Sequence, residues 1–184
     1  MKKSLLFAGL ILSVSFTVSS CGTNTSEVKN SNAGTSSAAD NMAKSEQSLR
    51  AANDSFYAAL NDMFTGNMVP MDSIWSHSAE ITDQGPFGGR LLGWEAVEAE
   101  FKKEADMKLG GKVTCEELVV HAGTDMGYTV CVEEGENTGT DGKPVTVKHR
   151  ASNVFRLENG KWKLVHHHTD LSPQLEKAIG IEHK

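Results

Sequence analysis

Three consecutive histidines near the end of the chain are the residues best suited to acid–base chemistry. They lie in residues 161–171, whose alternating apolar and polar side chains predict a β-strand. Side chains alternate between the two faces of a strand, so one face carries Trp162, Leu164, His166, His168 and Asp170. The two apolar members place this set inward. His167 is then expected on the outer face, as a surface residue or a dimer contact.

The preceding strand candidate, residues 145–157, adds polar groups beside the histidines. A two-residue turn at Asn159-Gly160 pairs Leu157 with Trp162 and Phe155 with Leu164, apolar against apolar. In this preferred register one inward face carries all the polar candidates: His149, Asn153, His166, His168 and Asp170. A three-residue turn bulged at Gly160 would instead set the other face of the strand beside the histidines: Arg150, Ser152 and Val154.

These polar groups predict a ligand site. They donate, accept and titrate near neutral pH, and they suit a small polar or carbonyl-bearing ligand in an otherwise apolar cavity. The alternative is a polar core, in which inward histidines are hydrogen-bonded to Asn153, Asp170 or Trp75.

The elements that must position these side chains fall into two blocks. Apolar residues at helical spacing predict three helices, at residues 45–66 with Ser45 as N-cap, 68–75 and 94–105. A brief strand at residues 79–82 and a Gly- and Pro-rich loop at residues 83–89 separate the second and third helices. The period then falls to two, which predicts four strands, at residues 113–121, 126–133, 145–157 and 161–171. The predicted fold is α+β, with three N-terminal helices packed on a curved antiparallel sheet.

Two cysteines, Cys115 and Cys131, flank the turn of a predicted hairpin and lie nearly opposite each other. A cross-strand disulfide is possible, but a slip of one residue would send the two side chains to opposite faces. Two free, buried thiols are favoured.

The order of these elements resembles the SnoaL-like branch of the nuclear transport factor 2-like superfamily. The resemblance is carried by residues 78–93 with the following helix, and by Asn153-Val154-Phe155-Arg156 leading into Gly160-Lys161-Trp162 and the histidines. It implies a cone-shaped fold, a pocket between sheet and helices, frequent dimerisation through the sheet and no metal. It does not imply one activity, because the superfamily includes isomerases, cyclases, dehydratases, association domains and transport factors.

Within the superfamily, similarity to ketosteroid isomerase implies that Asp83 is a general base that moves a proton next to a carbonyl. Tyr57, Trp75 or His77 is expected to reach the ligand from the helical side. Phe56 stands where that enzyme has its oxyanion-donating tyrosine, and Tyr57 is one residue out of register. The alternative for Asp83 is a loop residue that caps its own turn.

Metal binding is a further alternative for the histidines. His166 and His168 share a face, but a zinc site needs at least one more ligand, for which His149 or Asp170 is nearest.

The first residues predict export and lipid attachment. Lys2 and Lys3 precede an apolar run at residues 5–18 that is too short to span a membrane. Val18-Ser19-Ser20-Cys21 resembles the bacterial lipobox, which implies a signal peptide at residues 1–20 and acyl chains on Cys21. An ordinary secretory peptide with an incidental cysteine is the alternative. Gly22, by resemblance to lipoproteins of diderm bacteria, favours the periplasmic side of the outer membrane.

The remaining chain divides into a tether and a domain. Residues 21–44 are rich in small and polar side chains and lack aromatic residues, which predicts a flexible tether, and residues 45–184 suit one domain. The net charge of −6 argues against nucleic acid as a partner. Outside the cytoplasm NAD, ATP and coenzyme A are not readily supplied, so we expect no cofactor. The expected function is small-molecule binding with cofactor-free proton transfer, in a homodimer; a non-catalytic dimeric association module is the alternative.

Replacing Cys21 by serine should release the protein from the membrane fraction, because the acyl chains would be lost. Metabolic labelling with an alkynyl fatty acid should mark the wild type and Cys131→Ser but not Cys21→Ser. Label retained by Cys21→Ser would contradict lipid attachment at this residue.

Overall fold

A computed structural model of the protein describes residues 32–180. The predicted signal peptide, Cys21 and the first part of the predicted tether lie outside the described residues. In chain order the elements are α1 Asn32–Met63, α2 Val69–Ile74, β1 Thr82–Gln84, β2 Leu91–Leu92, α3 Trp94–Met107, β3 Lys112–Ala122, β4 Met126–Thr138, β5 Pro144–Glu158, β6 Lys161–Thr169 and α4 Pro173–Ala178. Over this part of the chain, no helix is both long enough and apolar enough to cross a membrane.

The strands form one curved, open sheet in the order β2-β1-β6-β5-β4-β3. Neighbouring strands are antiparallel except for β1, which is parallel to β6. The core lies between the sheet and the helices, and its largest fully buried apolar side chains are Trp75, Phe56, Phe155, Leu49, Met63, Met71, Ile81, Leu164 and Val97. The predicted α+β fold is confirmed.

Helix α1 is longer than predicted. It begins at Asn32 rather than at Ser45, so residues 32–44 of the predicted tether are helical. Alanine, methionine and lysine in this segment favour a helix, and the side chains of residues 37–44 are exposed. Farther along α1, Trp162 Nε1 donates a hydrogen bond of 2.9 Å to Ser48 Oγ, which attaches the helix to β6.

The strand that carries Asp83 lies later than predicted. Strand β1 covers Thr82–Gln84 rather than residues 79–82, so Asp83 is inside a strand and not in a loop. The backbone N–H of Gly93 donates to the Ile81 carbonyl, which ties the start of α3 to β1. Gly93 has φ 81° and a Cβ there would lie 3.4 Å from the Ala79 carbonyl oxygen, so glycine suits this approach. Strand β2 and helix α4 were not predicted, because elements this short show no periodicity.

A β-bulge in β6 corrects the predicted register. Near the turn the pairing is as predicted, with Phe155 opposite Leu164. The next residue of β5, Val154, pairs with His166, which leaves Val165 as an extra residue without a partner. Beyond the bulge the pairing therefore follows the alternative register.

The extra residue exchanges the faces of the histidines. His167 pairs with Asn153 and is only 6% exposed, so its predicted outward position is wrong. His166 and His168 lie on the outer face instead. The prediction assumed an unbroken alternation along the strand, and one inserted residue moves every later side chain to the other face.

Candidate functional site

A cavity lies between the concave face of the sheet and the helices. The space between its atoms is about 540 Å³ including its mouth, and the centre of a water-sized sphere can move through about 50 Å³ of it. Most of its wall is apolar, formed by Phe56, Leu60, Phe64, Phe87, Phe101, Leu109, Val113, Val147 and Leu175. The polar members of the wall are Asp83, Glu104, Glu133, Asn137, His149 and His167. An apolar wall with a few convergent polar groups is typical of a small-molecule site.

Asp83 is held in the cavity wall by β1, where it is paired with His167 of β6. It is 5% exposed, and its Oδ1 has no hydrogen-bond partner among the described residues. Burial, followed by the negative charge of Glu133, raises the pKa of the Asp83 carboxyl from its ordinary value of 3.8 to about 7. Such a carboxyl can take up or release a proton near neutral pH.

Glu133 of β4 is the centre of a buried hydrogen-bond chain. The Tyr57 hydroxyl donates to its Oε1 at 2.9 Å, and His149 Nε2 donates to its Oε2 at 2.7 Å. Burial opposes ionisation of Glu133, but the hydrogen bonds from His149 and Tyr57 bring the pKa of its carboxyl below the ordinary value. Burial and the charge of Glu133 raise the pKa of Tyr57, so its hydroxyl remains a donor.

The hydrogen-bond chain through Glu133 determines which ring nitrogen of His149 carries the hydrogen. Because Nε2 donates to Glu133, the neutral ring has its lone pair on Nδ1. That nitrogen is buried and has no partner among the described residues, and His149 lines the cavity. The cavity therefore contains a hydrogen-bond acceptor that no side chain uses.

His167 is oriented by a second buried network. The Asn153 amide nitrogen donates to Asn53 Oδ1 at 3.1 Å, and Asn53 Oδ1 also accepts from the Thr129 hydroxyl at 2.7 Å. Asn153 therefore presents its oxygen to His167, and His167 Nδ1 donates to it at 2.6 Å. Burial lowers the pKa of His167 to about 4 although the Glu133 carboxylate acts in the opposite direction, so the ring is neutral at pH 7 with its lone pair on Nε2.

Glu104 of α3 adds a third carboxyl to the cavity. Burial, and the negative charges of Asp83 and Glu100, raise the pKa of Glu104 to about 8. A second depression of about 550 Å³ adjoins the cavity on this side and is lined by Asp83, Gly85, Phe87, Gly88, Leu91, Glu100 and Glu104. Within the described residues, neither the cavity nor this depression is lined by lysine or arginine.

Four predicted site residues meet at the cavity. Asp83 and His149 line it, while Tyr57 and Asn153 lie behind it and each is hydrogen-bonded to a lining residue. Asp83 and His149 thus lie at the predicted pocket, whereas Asn153, predicted on its floor, and Tyr57 do not line it. The roles of all four residues stay predictions.

Three predicted site residues lie elsewhere because of the bulge. His166, whose Nδ1 is 2.6 Å from the Thr82 hydroxyl, and the exposed His168 face away from the cavity. Asp170 binds Arg150 at 2.8 Å on the surface, and the hydrogen bonds from Arg150 lower the pKa of Asp170 to about 2. The predicted placement of these three residues in the pocket is wrong.

Trp75 and His77 also lie outside the cavity. Trp75 is fully buried, with its ring centroid 5.6 Å from that of Phe101, and belongs to the core. The chain leaves the core after Ser76, so His77 is exposed and stacks on Trp94 with ring centroids 4.6 Å apart. Their predicted contact with a ligand is wrong for this cavity.

Glu104, Glu133 and His167 were missed as site residues by sequence analysis. Glu133 follows Cys131 by two positions in a predicted strand and so shares its face, which was the pattern that could have identified it. Glu104 follows Phe101 by three positions and so shares its side of α3. His167 was assigned to the wrong face.

The candidate metal ligands do not converge. In residues 32–180 no group of three or more His, Cys, Asp or Glu side chains is placed to hold a metal ion. His149 lies on the inner face of the sheet, opposite to His166 and His168. The two cysteines are free thiols, as favoured; Cys131 is buried with its Sγ 3.2 Å from the Tyr57 hydroxyl, and Cys115 is partly exposed.

Comparison with known proteins agrees with this architecture. The family model described as the SnoaL-like domain matches residues 49–172, well over half of the chain. The chain belongs to the SnoaL-like family. No curated protein sequence is significantly similar to it.

Solved structures share the fold of this SnoaL-like chain. A proposed dehydratase of the nuclear transport factor 2-like family from Streptomyces avermitilis has a TM-score of 0.63 and 19% identity, over 72% of this chain and 99% of that one. A proposed calcium/calmodulin-dependent protein kinase type II association domain from Thiobacillus denitrificans has a TM-score of 0.56 and 23% identity, over 67% of this chain and 94% of that one. A proposed ketosteroid isomerase from Shewanella frigidimarina has a TM-score of 0.53 and 16% identity, over 65% of this chain and 91% of that one. At these identities the likeness shows the fold alone.

The stability of this SnoaL-like domain should contain a component that falls as pH rises through about 7. The folded state raises the pKa of Asp83 from 3.8 to about 7, so it holds the proton more tightly than the unfolded chain does. The resulting stabilisation is complete below about pH 4 and is lost as pH rises through about 7. Asp83→Asn should remove this component. Urea unfolding gives the free energy of unfolding of the wild type and of the variant, and the difference between them should change by a few kcal/mol, in order of magnitude, from about pH 4 to about pH 8. Asp106→Asn, at an exposed position, is the control; a difference independent of pH would contradict a buried, protonated Asp83.

Proposed function

We propose that the protein is a membrane-tethered SnoaL-like domain that binds a small molecule in the cavity and transfers a proton on it without a cofactor. The observation that carries this proposal is a pair of buried atoms, Asp83 Oδ1 and His149 Nδ1, in two residues that line the same apolar cavity. Neither atom has a hydrogen-bond partner in the part of the chain that the structure describes. A buried polar group without a hydrogen bond costs about 1–3 kcal/mol, which a bound ligand would recover.

The two groups suit general acid–base catalysis. Asp83, with a pKa of about 7, can donate a proton when protonated and accept one when ionised. His149 can accept a proton at Nδ1, and the Glu133 carboxylate at its Nε2 stabilises the resulting imidazolium. One group can thus remove a proton from the ligand while the other delivers a proton to a second position. Isomerisation and elimination of water both use this pair of steps.

Two further facts support the proposal. The superfamily neighbours include a proposed dehydratase and a proposed ketosteroid isomerase. Acyl chains on Cys21, which the lipobox-like segment predicts, would hold the domain outside the cytoplasm, on the periplasmic side of the outer membrane of a diderm cell, where cofactor-free chemistry is economical.

A panel of small apolar molecules that carry a carbonyl, hydroxyl or amine group tests ligand binding. At least one should raise the melting temperature of the purified protein, and Val147→Phe should abolish the rise because it fills the cavity from β5. Thr146→Phe, one residue away on the exposed face of the same strand, should retain it. If a ligand that binds undergoes hydrogen–deuterium exchange or conversion, Asp83→Asn should slow the reaction by about 10²-fold or more.

A ligand whose effect survives in Val147→Phe, or the absence of any shift across the panel, would contradict the proposed cavity site. Turnover unchanged in Asp83→Asn would contradict the role of Asp83 in proton transfer and leave ligand binding intact.

A second candidate function is self-association through the outer face of the sheet, as a homodimer. Strands β3 and β4 expose an apolar outer patch formed by Val119, Tyr128 and Val130, which are 55%, 45% and 36% exposed. Val119 pairs directly with Val130, so the patch is continuous. Exposed apolar surface of this kind marks association sites, and one structural neighbour is a proposed association domain.

Sedimentation equilibrium of the purified protein in mild detergent should give twice the chain mass for the wild type. Val130→Asp should give the mass of one chain, because an unpaired charge in the centre of the patch cannot be buried cheaply. Thr146→Asp, on the same face of the sheet but outside the patch, should remain a dimer. A monomeric wild type would contradict association through this face.

A further inference from the structure

We infer that the ligand of the cavity carries a protonated amine on an apolar group. This inference rests on the proposed binding of a small molecule in the same cavity and deepens it by naming the chemical class. It follows from the hydrogen-bonding character, the charge and the aromatic wall of the site, and from the acidic depression beside it.

The cavity displays acceptors that need a donor. His149 donates from Nε2 and His167 from Nδ1 to protein partners, so the other nitrogen of each ring, His149 Nδ1 and His167 Nε2, is left for a ligand, and the neutral His167 ring has its lone pair there. Asp83 is 5% exposed, and its Oδ1 has no hydrogen-bond partner within residues 32–180. The Tyr57 hydroxyl, a donor behind the cavity, is already used by Glu133. A ligand that engages these acceptors together supplies hydrogens, as an ammonium group with up to three N–H donors does.

The charge of the site has one sign. Three carboxyls line the cavity, at Asp83, Glu104 and Glu133, and within the described residues no lysine or arginine lines it. Glu100 at the rim is bound to Lys103 at 2.7 Å, but that lysine is 68% exposed and lies outside the lining. An anionic ligand would be repelled by Glu133 and the ionised fraction of Asp83. A cation would relieve the repulsion that the carboxyls now exert on one another.

The apolar part of the wall suits the same ligand. Four phenylalanine rings line the cavity, at Phe56, Phe64, Phe87 and Phe101. Aromatic faces attract cations and also bury the apolar body of a ligand. A carboxylate ligand would gain only the second of these interactions.

The depression beside the cavity gives the cation an approach. It shares Asp83, Gly85, Phe87 and Glu104 with the cavity and adds Glu100 at its rim. A negative potential at the entrance raises the local concentration of cations and lowers that of anions. Entrance and interior thus select for the same charge.

Calorimetric titration of the purified protein with benzylamine, benzyl alcohol and benzoate tests the inference, because the three probes share a ring and differ in charge. At about pH 7.5 benzylamine should bind at least about tenfold more tightly than benzyl alcohol, and benzoate should not bind. The groups that face Asp83 and titrate or carry charge are Glu100, Glu104, Glu133, His149 and His167. Benzylamine affinity should rise between about pH 5.5 and about pH 7.5, as Asp83 loses its proton.

Two carboxyl variants locate the effect. Asp83→Asn should weaken benzylamine by about tenfold or more and benzyl alcohol by less than about threefold. Glu104→Gln, which keeps the length of the side chain and removes its charge, should also weaken benzylamine selectively. Asp106→Asn, an exposed acid on α3 outside the cavity, should change neither probe.

The outcomes separate this inference from the proposed function. Benzyl alcohol or benzoate binding as tightly as benzylamine would overturn the amine class and leave the ligand site standing. Benzylamine binding unchanged in both carboxyl variants would overturn it as well, because the cation would bind elsewhere. No binding of any probe up to about 10 mM would overturn the amine class here, while the broader panel and Val147→Phe decide the ligand site separately.

Discussion

The β-bulge at Val165 is the constraint on which the interior of this domain depends, because it sets the face of every later side chain in β6. Before the bulge, Leu164 packs against the core as the simple register requires. After it, His167 turns inward and finds the Asn153 oxygen, while the flanking histidines turn out. Without the extra residue β6 would direct His166 and His168 to the concave face in place of His167. Asn153, which donates to Asn53 of α1, would then lack the histidine donor to its own oxygen.

Helix α1 is the second determinant of the site, since it contributes to both buried networks. Asn53 accepts hydrogen bonds from β4 and β5, and Tyr57 donates to Glu133. Phe56 of the same helix packs on the His167 ring with centroids 5.1 Å apart. These contacts hold two imidazole rings in fixed orientations, each with one nitrogen bonded to a protein acceptor and the other left for a ligand. Satisfied polar networks of this kind specify one arrangement of the core, because each member is costly to leave without its partner.

The fold does not decide what the site does. Domains with this architecture differ widely in function, so the chemistry must be argued from the side chains in the cone. Here these are three carboxyls and two imidazoles inside an apolar wall. Burial raises the pKa of Asp83 and Glu104 toward neutrality, whereas the hydrogen bond from His149 keeps Glu133 ionised. One carboxylate is thus committed to structure, and the other two are free to exchange protons or meet a charge.

The sequence alone determined the fold class, the family and half of the site. Hydrophobic periodicity, which depends only on local geometry, located the three N-terminal helices and four long strands, and alternation along β5 placed His149 and Asn153 on the inner face. The tertiary structure alone decided the rest. The bulge is a choice between two nearly equivalent registers, settled by packing against α1 and β1 and not by any local signal. The proximity of Asp83, Glu104 and Glu133 depends on contacts between residues distant in sequence, and so do the proton affinities that follow from their burial.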